Sequence, residues 1–162
     1  MKFYRIFLLA AFLFFMPAFS IVACSDDDKS KDEAAQNDAE IERLVDLVWE
    51  FSQSHPDGFT INIQTMEEPK AGMAVSYAAT QNSHSREKLP FVIKHALEHD
   101  GYVGGWLDTD SNLYYFDSTK LFPEDKRDEA IQFGLDNDQK SIYVISTGES
   151  INLDDYRKSD AQ

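Results

Sequence analysis

Two histidines four residues apart form the most suggestive catalytic motif of this chain. His95, Glu98 and His99 match the pattern H-x-x-E-H, in which two imidazoles on one helix face hold zinc and the glutamate acts as a base. A zinc site would also need a third ligand from elsewhere in the fold. A helical-wheel count turns His95 away from the apolar arc of the helix and leaves His99 at the edge of that arc. We therefore predict surface histidines and no metal.

A second metal-like pattern is Asp108-Thr109-Asp110-Ser111-Asn112, which begins like a calcium-binding loop. Loops of this type need glycine at the sixth position and glutamate at the twelfth. The chain has Leu113 and Thr119 at these two positions. We therefore interpret the segment as a polar hairpin turn.

The run Gly104-Gly105-Trp106 is a candidate binding surface. Glycines inside a strand cost stability and mark a bulge or a close approach of another backbone. Tyr114, Tyr115 and Asp117 stand beyond the turn at residues 108–112, so pairing of two strands around it would bring the two tyrosine rings and Trp106 together. One interpretation is a cleft with a glycine floor and aromatic walls. The other, which the pattern favours, is ordinary cross-strand packing.

The polar run Thr80-Gln81-Asn82-Ser83-His84-Ser85 offers hydroxyl, amide and imidazole groups. Loops carry functional residues more often than cores do, so Thr80, Gln81 and Asn82 join the candidate binding residues. A serine next to a histidine does not define a nucleophile, because catalytic triads are spatial arrangements. The simpler interpretation is a solvated loop with a serine that caps the next helix.

Hydrophobic periodicity predicts the elements that position these residues. Apolar residues recur at helical spacing in three segments and alternate with polar residues in the strands between them. Asp38 is the expected N-cap of the first helix. The predicted helices span 39–53, 87–99 and 123–137, and the predicted strands span 59–64, 73–77, 102–107, 113–118, 141–146 and 150–153. This order indicates an α+β domain with a mostly antiparallel sheet and helices on one face.

The N-terminus has the order of a secretory signal, with basic residues before an apolar run at 6–15. That run is shorter than the roughly 20 residues that a membrane-spanning helix needs. The following Ile21-Val22-Ala23-Cys24 resembles the lipobox of bacterial lipoproteins, which implies cleavage of residues 1–23 and lipidation of Cys24. Ser25-Asp26-Asp27-Asp28-Lys29 resembles the acidic export signal of Bacteroidota surface lipoproteins. The resemblance implies an outer-membrane anchor that faces the cell exterior.

Composition divides the remaining chain into three parts. Residues 24–37 contain no aromatic residue and are predicted to be a disordered, acidic tether. Residues 38–153 have the composition of one folded domain, and residues 154–162 form a polar tail. The chain has 15 Lys+Arg and 29 Asp+Glu, a net charge of −14, which becomes −16 once the two basic residues of the signal are removed. This acidity disfavours nucleic acid as a partner.

Five runs of the globular part carry a family resemblance, at 58–62, 80–83, 104–106, 114–118 and 129–134. Together they resemble a small, largely uncharacterised domain common on Bacteroidales plasmids, phages and integrated elements. The resemblance implies a shared fold more than an activity. Phage-carried domains of this kind have been linked to the barnase–EndoU–colicin–RelE group of nuclease-like folds. For such an activity the candidate catalytic residues are His84, His99, Thr80 and Gln139.

These features predict an anchored lipoprotein whose domain binds a ligand or a partner protein and does no chemistry. No cofactor is expected. Two alternatives stay open: a toxin- or nuclease-like enzyme domain, and an immunity or exclusion lipoprotein. The enzyme alternative predicts that Thr80, Gln81, His99, Trp106 and Asp117 converge in one concave pocket. The candidate binding residues are Thr80, Gln81, Asn82, Gly104, Gly105, Trp106, Tyr115 and Asp117.

Overall fold

A computed structural model describes residues 26–157; the predicted signal segment and Cys24 lie outside this range. The α-helices are α1 (Asp26–Gln53), α2 (Leu89–Glu98), α3 (Arg127–Asp136) and α4 (Asp154–Arg157). The strands are β1 (Phe59–Asn62), β2 (Met73–Ser76), β3 (Ser83–His84), β4 (Tyr102–Asp108), β5 (Leu113–Phe122), β6 (Ser141–Val144) and β7 (Glu149–Asn152). Within residues 26–157, no helix is both long enough and apolar enough to cross a membrane.

The strands form one antiparallel sheet in the order β1-β4-β5-β2-β6-β7, and the short β3 pairs with β5 beyond the end of β2. At its centre, β4 and β5 pair from Tyr102 opposite Thr119 to Asp108 opposite Leu113. Residues 109–112 connect these two strands, within the polar hairpin turn that the sequence predicted at 108–112. The predicted α+β class and the mostly antiparallel sheet are therefore confirmed.

The helices cover one face of the sheet, because every second strand residue is apolar and points to that side. Over β1, β4 and β5, α1 and α2 pack around the fully buried Val45, Ile93 and Phe116. Over β2 and β6, α3 packs around Val75 and Ala130. The opposite face, which we call the open face, presents mostly polar or partly exposed side chains, and no described helix packs on it.

Helix α1 begins earlier than the sequence predicted. Asp38 is not an N-cap, because the helix runs without a break from Asp26 to Gln53. Residues 26–37 contain no glycine or proline, and although aspartate is the commonest residue among them, they include two alanines, two lysines, one glutamate and one glutamine, which favour a helix. Packing begins close to the predicted domain boundary, since residues 35–40 are all exposed and Ile41 is buried.

Thr80 closes a gap in the sheet at the point where β2 gives way to β3. The backbone N–H of Tyr77 donates to the Ser118 carbonyl at 2.9 Å, and the Ser118 N–H donates to Thr80 Oγ1 at 2.9 Å. The Thr80 hydroxyl thus replaces the missing strand partner of β5. The polar run at 80–85 was interpreted as a solvated loop, and that interpretation was wrong, because Thr80 and Ser83 are buried.

Replacing Thr80 tests this structural role. Thr80→Val keeps the shape of the side chain but removes the acceptor, which leaves the buried Ser118 N–H without a partner. We expect the free energy of unfolding to fall by about 1–3 kcal/mol in urea titrations. Thr80→Ser keeps the acceptor and should lower the free energy of unfolding by a smaller amount. A valine variant as stable as the serine variant would contradict the role assigned to the hydroxyl.

Candidate functional site

The open face of the sheet carries a groove with a volume of about 940 Å³. It crosses β1, β4, β5, β2 and β6, so its residues come from distant parts of the chain. It is lined by seven of the eight residues that the sequence nominated for binding, namely Gln81, Asn82, Gly104, Gly105, Trp106, Tyr115 and Asp117. The catalytic candidate Gln139 also lines it, whereas Thr80 does not.

The floor of the groove is open at Gly104. This residue lies opposite Thr60 of β1 and Asp117 of β5, on the open face of the sheet. A Cβ atom at Gly104 would stand 3.0 Å from Thr119 Oγ1 and 3.9 Å from Thr60 Oγ1. The missing side chain therefore leaves a shallow notch, which we call the Gly104 notch, bordered by Thr60 and partly filled by the Thr119 hydroxyl, with Asp117 as its register partner on β5.

The Cβ position of Gly105 lies on the opposite face of the sheet, under the helices. A Cβ atom there would lie 2.8 Å from the ring of Phe59 and 3.0 Å from that of Tyr114. The glycine thus allows the Phe59 ring to pack closely over β4. The predicted bulge at Gly104 and Gly105 was wrong, because the pairing of β4 with β5 continues without interruption through both residues. The other predicted reason was close approach of another backbone, but the nearest groups are side chains, the Thr119 hydroxyl at Gly104 and the Phe59 ring at Gly105.

Two stacked aromatic rings form one wall of the groove. Trp106 and Tyr115 are partners in the β4–β5 register, and their ring centroids are 5.4 Å apart with an interplanar angle of 17°. Trp106 remains 49% exposed, so much of its indole surface is open to a ligand. Tyr143 of β6 is 45% exposed and also lines the groove. The alternation of residues along β6 could have indicated that Tyr143 lies on the exposed face, but no motif in the sequence singled it out.

Asp117 is the one carboxyl on the floor of the groove. No hydrogen bond or ion pair to its carboxylate occurs among residues 26–157, and burial raises its pKa to about 7. A carboxyl with an ordinary pKa near 4 would be fully ionised at neutral pH. Asp117 is instead a mixture of charged and neutral forms there. A partly buried carboxylate without a partner is a common feature of functional sites.

Further carboxylates surround the groove. Its lining contains the acidic residues Asp57, Glu68, Asp108, Asp117 and Asp138, and Lys140 is the one basic residue among the described lining. Hydrogen bonds from the Ser111 hydroxyl and nearby backbone lower the pKa of the Asp108 carboxyl. Asp138 is paired with Arg157 at 3.2 Å, but the other carboxylates still outnumber Lys140, so the lining carries an excess of negative charge that attracts cations and repels phosphates.

The amide side chains at the edge of the groove have structural partners. Gln81 Nε2 and Gln139 Nε2 donate to the Asn137 carbonyl at 2.9 and 3.0 Å. Asn137 Oδ1 in turn accepts the Ala78 N–H at 2.9 Å. Asn137 thus ties the loop before β3 to the end of α3. Sequence reasoning missed this residue, since its partners Ala78 and Gln81 lie more than fifty positions away.

The histidine motif lies on α2 and contributes nothing to the groove lining. The His95 and His99 rings stack with centroids 3.9 Å apart, and Tyr77 packs against both and donates a hydrogen bond to Asp100. The predicted surface position is confirmed for His99, which is exposed, but was wrong for His95, which is partly buried. Residues 26–157 contain no group of three or more His, Cys, Asp or Glu side chains that could hold a metal ion.

The candidate catalytic residues do not meet. Thr80 is buried against β5, and His99 is exposed at the end of α2. His84 packs its ring on Tyr115 at a centroid distance of 5.7 Å, while Gln139 lies beside β6. The predicted convergence of Thr80 and His99 with the groove residues was therefore wrong.

Comparison with known proteins gives no further guide to the site. No protein-family model, curated protein or solved structure matches the chain. The groove must therefore be interpreted from its own residues. The resemblance to a domain of Bacteroidales mobile elements stays a prediction.

The raised pKa of Asp117 predicts a measurable dependence of stability on pH. The folded state holds this proton more tightly than the unfolded chain, so the free energy of unfolding should fall as pH rises from about 4 towards 7. Asp117→Asn removes this loss and should raise the free energy of unfolding at pH 8 by about 1–3 kcal/mol, with a much smaller effect at pH 4.

Urea unfolding of both proteins at the two pH values measures this difference. Asp110→Asn, in the exposed hairpin turn, is the control for a change in net charge. If the difference in free energy of unfolding between Asp117→Asn and the native protein does not grow between pH 4 and pH 8, the role assigned to Asp117 is contradicted.

Proposed function

We propose that the protein is a binding module that holds a positively charged ligand in the groove of the open face and performs no chemistry on it. One observation carries this proposal. The exposed Trp106–Tyr115 stack and the unpaired Asp117 carboxylate lie side by side in a groove whose other charges are mostly negative. Aromatic faces and carboxylates are the two groups that bind organic cations in water.

Charge complementarity supports a cationic ligand over an anionic one. The negative groove belongs to a chain with a net charge of −14. A field of one sign raises the local concentration of oppositely charged ligands and speeds their encounter. Nucleic acid would meet repulsion at the same surface. An immunity or exclusion protein would be one form of this function, in which the ligand is a basic protein.

The distribution of the catalytic candidates favours binding over the nuclease-like alternative. Cleavage of RNA needs an acid, a base and cationic groups around the scissile phosphate. Lys140 is the one cation in the described lining, and His99 is remote from it. On the floor of the groove, Asp117 is the one described residue that could act as an acid or a base, and no second group there could take the complementary role.

The proposed location rests on the N-terminal resemblance to lipoproteins. A lipidated Cys24 would anchor the protein in the outer membrane, with the domain facing the exterior. Residues 35–40 are an exposed part of α1, and in this arrangement they would separate the groove from the lipid surface. The proposal thus describes a receptor-like domain held near the membrane.

Neutralising acidic groups on each side of the sheet tests the groove. The probe is fluorescently labelled hexalysine, titrated by anisotropy onto the full-length protein in detergent at low salt. Asp57→Asn with Glu68→Gln removes two groove charges, and we expect binding to weaken about three- to tenfold. Glu50→Gln with Glu98→Gln removes two exposed charges from α1 and α2, and should weaken it less than about twofold.

The two double variants have the same net charge, so their comparison separates the groove from general acidity. Equal weakening by both pairs would show that hexalysine responds to overall charge, and would contradict the proposed site. Absence of binding to the native protein would contradict the proposed function as a whole.

The anchor has a separate test. Cys24→Ala removes the proposed attachment point of the lipid, so the protein should move from the membrane fraction to the soluble fraction of the cell that produces it. Loss of radiolabelled palmitate incorporation should accompany the change. A variant that stays in the membrane fraction would contradict the lipid anchor and leave the groove proposal unaffected.

A further inference from the structure

We propose that the Gly104 notch is a guanidinium subsite, which takes the arginine side chain of an extended peptide against the Trp106 ring and the Asp117 carboxylate. This inference rests on the proposed binding function and names the chemical class of the ligand. The three residues occupy adjacent rows of the β4–β5 ladder, with Trp106 opposite Tyr115 and Gly104 opposite Asp117.

The register sets the size of the subsite. Rows on one face of a strand are about 7 Å apart, and the diagonal neighbours of a strand pair are about 7–8 Å apart. Because Gly104 has no side chain, no side chain of β4 stands beside Asp117 in the row next to Trp106, and the Thr119 hydroxyl closes one side of this place, 3.0 Å from where the Cβ would be. A planar group that stacks over Gly104 at about 3.5–4 Å from the indole would reach the Asp117 carboxylate with its edge, because the two rows are about 7 Å apart.

The groups that border the notch can all accept hydrogen bonds. The Asp117 carboxylate has no partner among the described residues, and the hydroxyls of Thr60 and Thr119 point their oxygens towards the position of the missing Cβ. The Thr119 hydroxyl donates to the Asp117 carbonyl at 3.3 Å, which leaves its lone pairs free. No basic side chain of the described lining borders the notch. A ligand that fits here must therefore bring several donors.

Guanidinium meets these requirements better than an ammonium group does. It is planar, permanently charged and carries five N–H donors, so it can stack on an indole while forming paired hydrogen bonds to a carboxylate. The ammonium of lysine is a compact and strongly hydrated charge without a flat face. The subsite should therefore prefer arginine to lysine, and should reject citrulline, which has a similar shape but no charge.

The length of the groove fits a short extended segment. From Trp106 on β4 the groove continues across β5 and β2 to Tyr143 on β6. Three steps between neighbouring strands span about 14 Å, and an extended chain advances about 3.3 Å per residue. About four residues of a peptide would therefore cover the groove, with the arginine at one end and Tyr143 near the other.

Arginine binding should release a proton from Asp117. In the free protein the pKa of this carboxyl is about 7, and a guanidinium beside it would stabilise the charged form. The ionised fraction rises about tenfold between pH 6 and pH 8 for a group with that pKa, so affinity should rise by a similar factor. No comparable rise is expected for a variant that lacks the carboxyl.

A competition experiment tests the subsite. Acetylated and amidated peptides with the sequences Ala-Arg-Ala-Ala, Ala-Lys-Ala-Ala and Ala-citrulline-Ala-Ala displace labelled hexalysine from the full-length protein in detergent. We expect the arginine peptide to compete at a concentration at least five times lower than the lysine peptide and at least tenfold lower than the citrulline peptide at pH 8. Its advantage over citrulline should shrink about tenfold at pH 6.

Three variants give the expected pattern its specificity. Asp117→Asn should remove the pH dependence, Trp106→Leu should remove the preference for arginine over lysine, and Asp110→Asn should change neither. Equal competition by arginine and lysine peptides, with hexalysine still bound in the groove, would overturn the guanidinium subsite and leave the binding function standing. Retention of the full pH dependence in Asp117→Asn would overturn the role given to the carboxyl.

Discussion

The pairing of β4 with β5 determines where almost every feature of this protein lies. Their register places each residue on one face of the sheet, and a shift by one position would exchange the two faces. Phe116 on β5 is consequently fully buried under the helices, while its neighbours Tyr115 and Asp117 line the groove. The same alternation separates Gly104, which opens the floor, from Gly105, which accommodates the Phe59 ring. Core and groove are thus two sides of one hairpin.

Much of this arrangement could be predicted from local sequence patterns. Alternating apolar and polar residues indicated the strands, and the polar turn at 108–112 indicated the hairpin. The turn predicted that the rings of Trp106, Tyr114 and Tyr115 meet across the hairpin, which is confirmed for Tyr115. It was wrong for Tyr114, which packs against the core on the opposite face. The same patterns favoured plain packing over a cleft at this place. The choice between the two depended on whether a helix covers that face, which no local pattern reports.

The features that sequence could not predict depend on distant contacts. Thr80 is structural because, on the side of β5 that pairs with β2 and β3, no strand residue pairs with Ser118, thirty-eight positions away. Asn137 joins two parts of the chain for a similar reason. The orientation of His95 follows from the packing of Tyr77 against α2, which a helical wheel cannot include. Helix α1 begins early because nothing in residues 26–37 breaks a helix, although the exposed residues 35–40 add no core.

The central claim is that the open face of the sheet binds a cationic ligand, and backbone NMR during titration with the Ala-Arg-Ala-Ala peptide tests it most directly. The account predicts that the largest shift changes occur at the Gly104 and Asp117 amides and at the indole N–H of Trp106. The indole of Trp49, which packs on Phe116 under the helices, should not move. Changes centred on α1 or α2, or spread evenly over the acidic surface, would contradict the account.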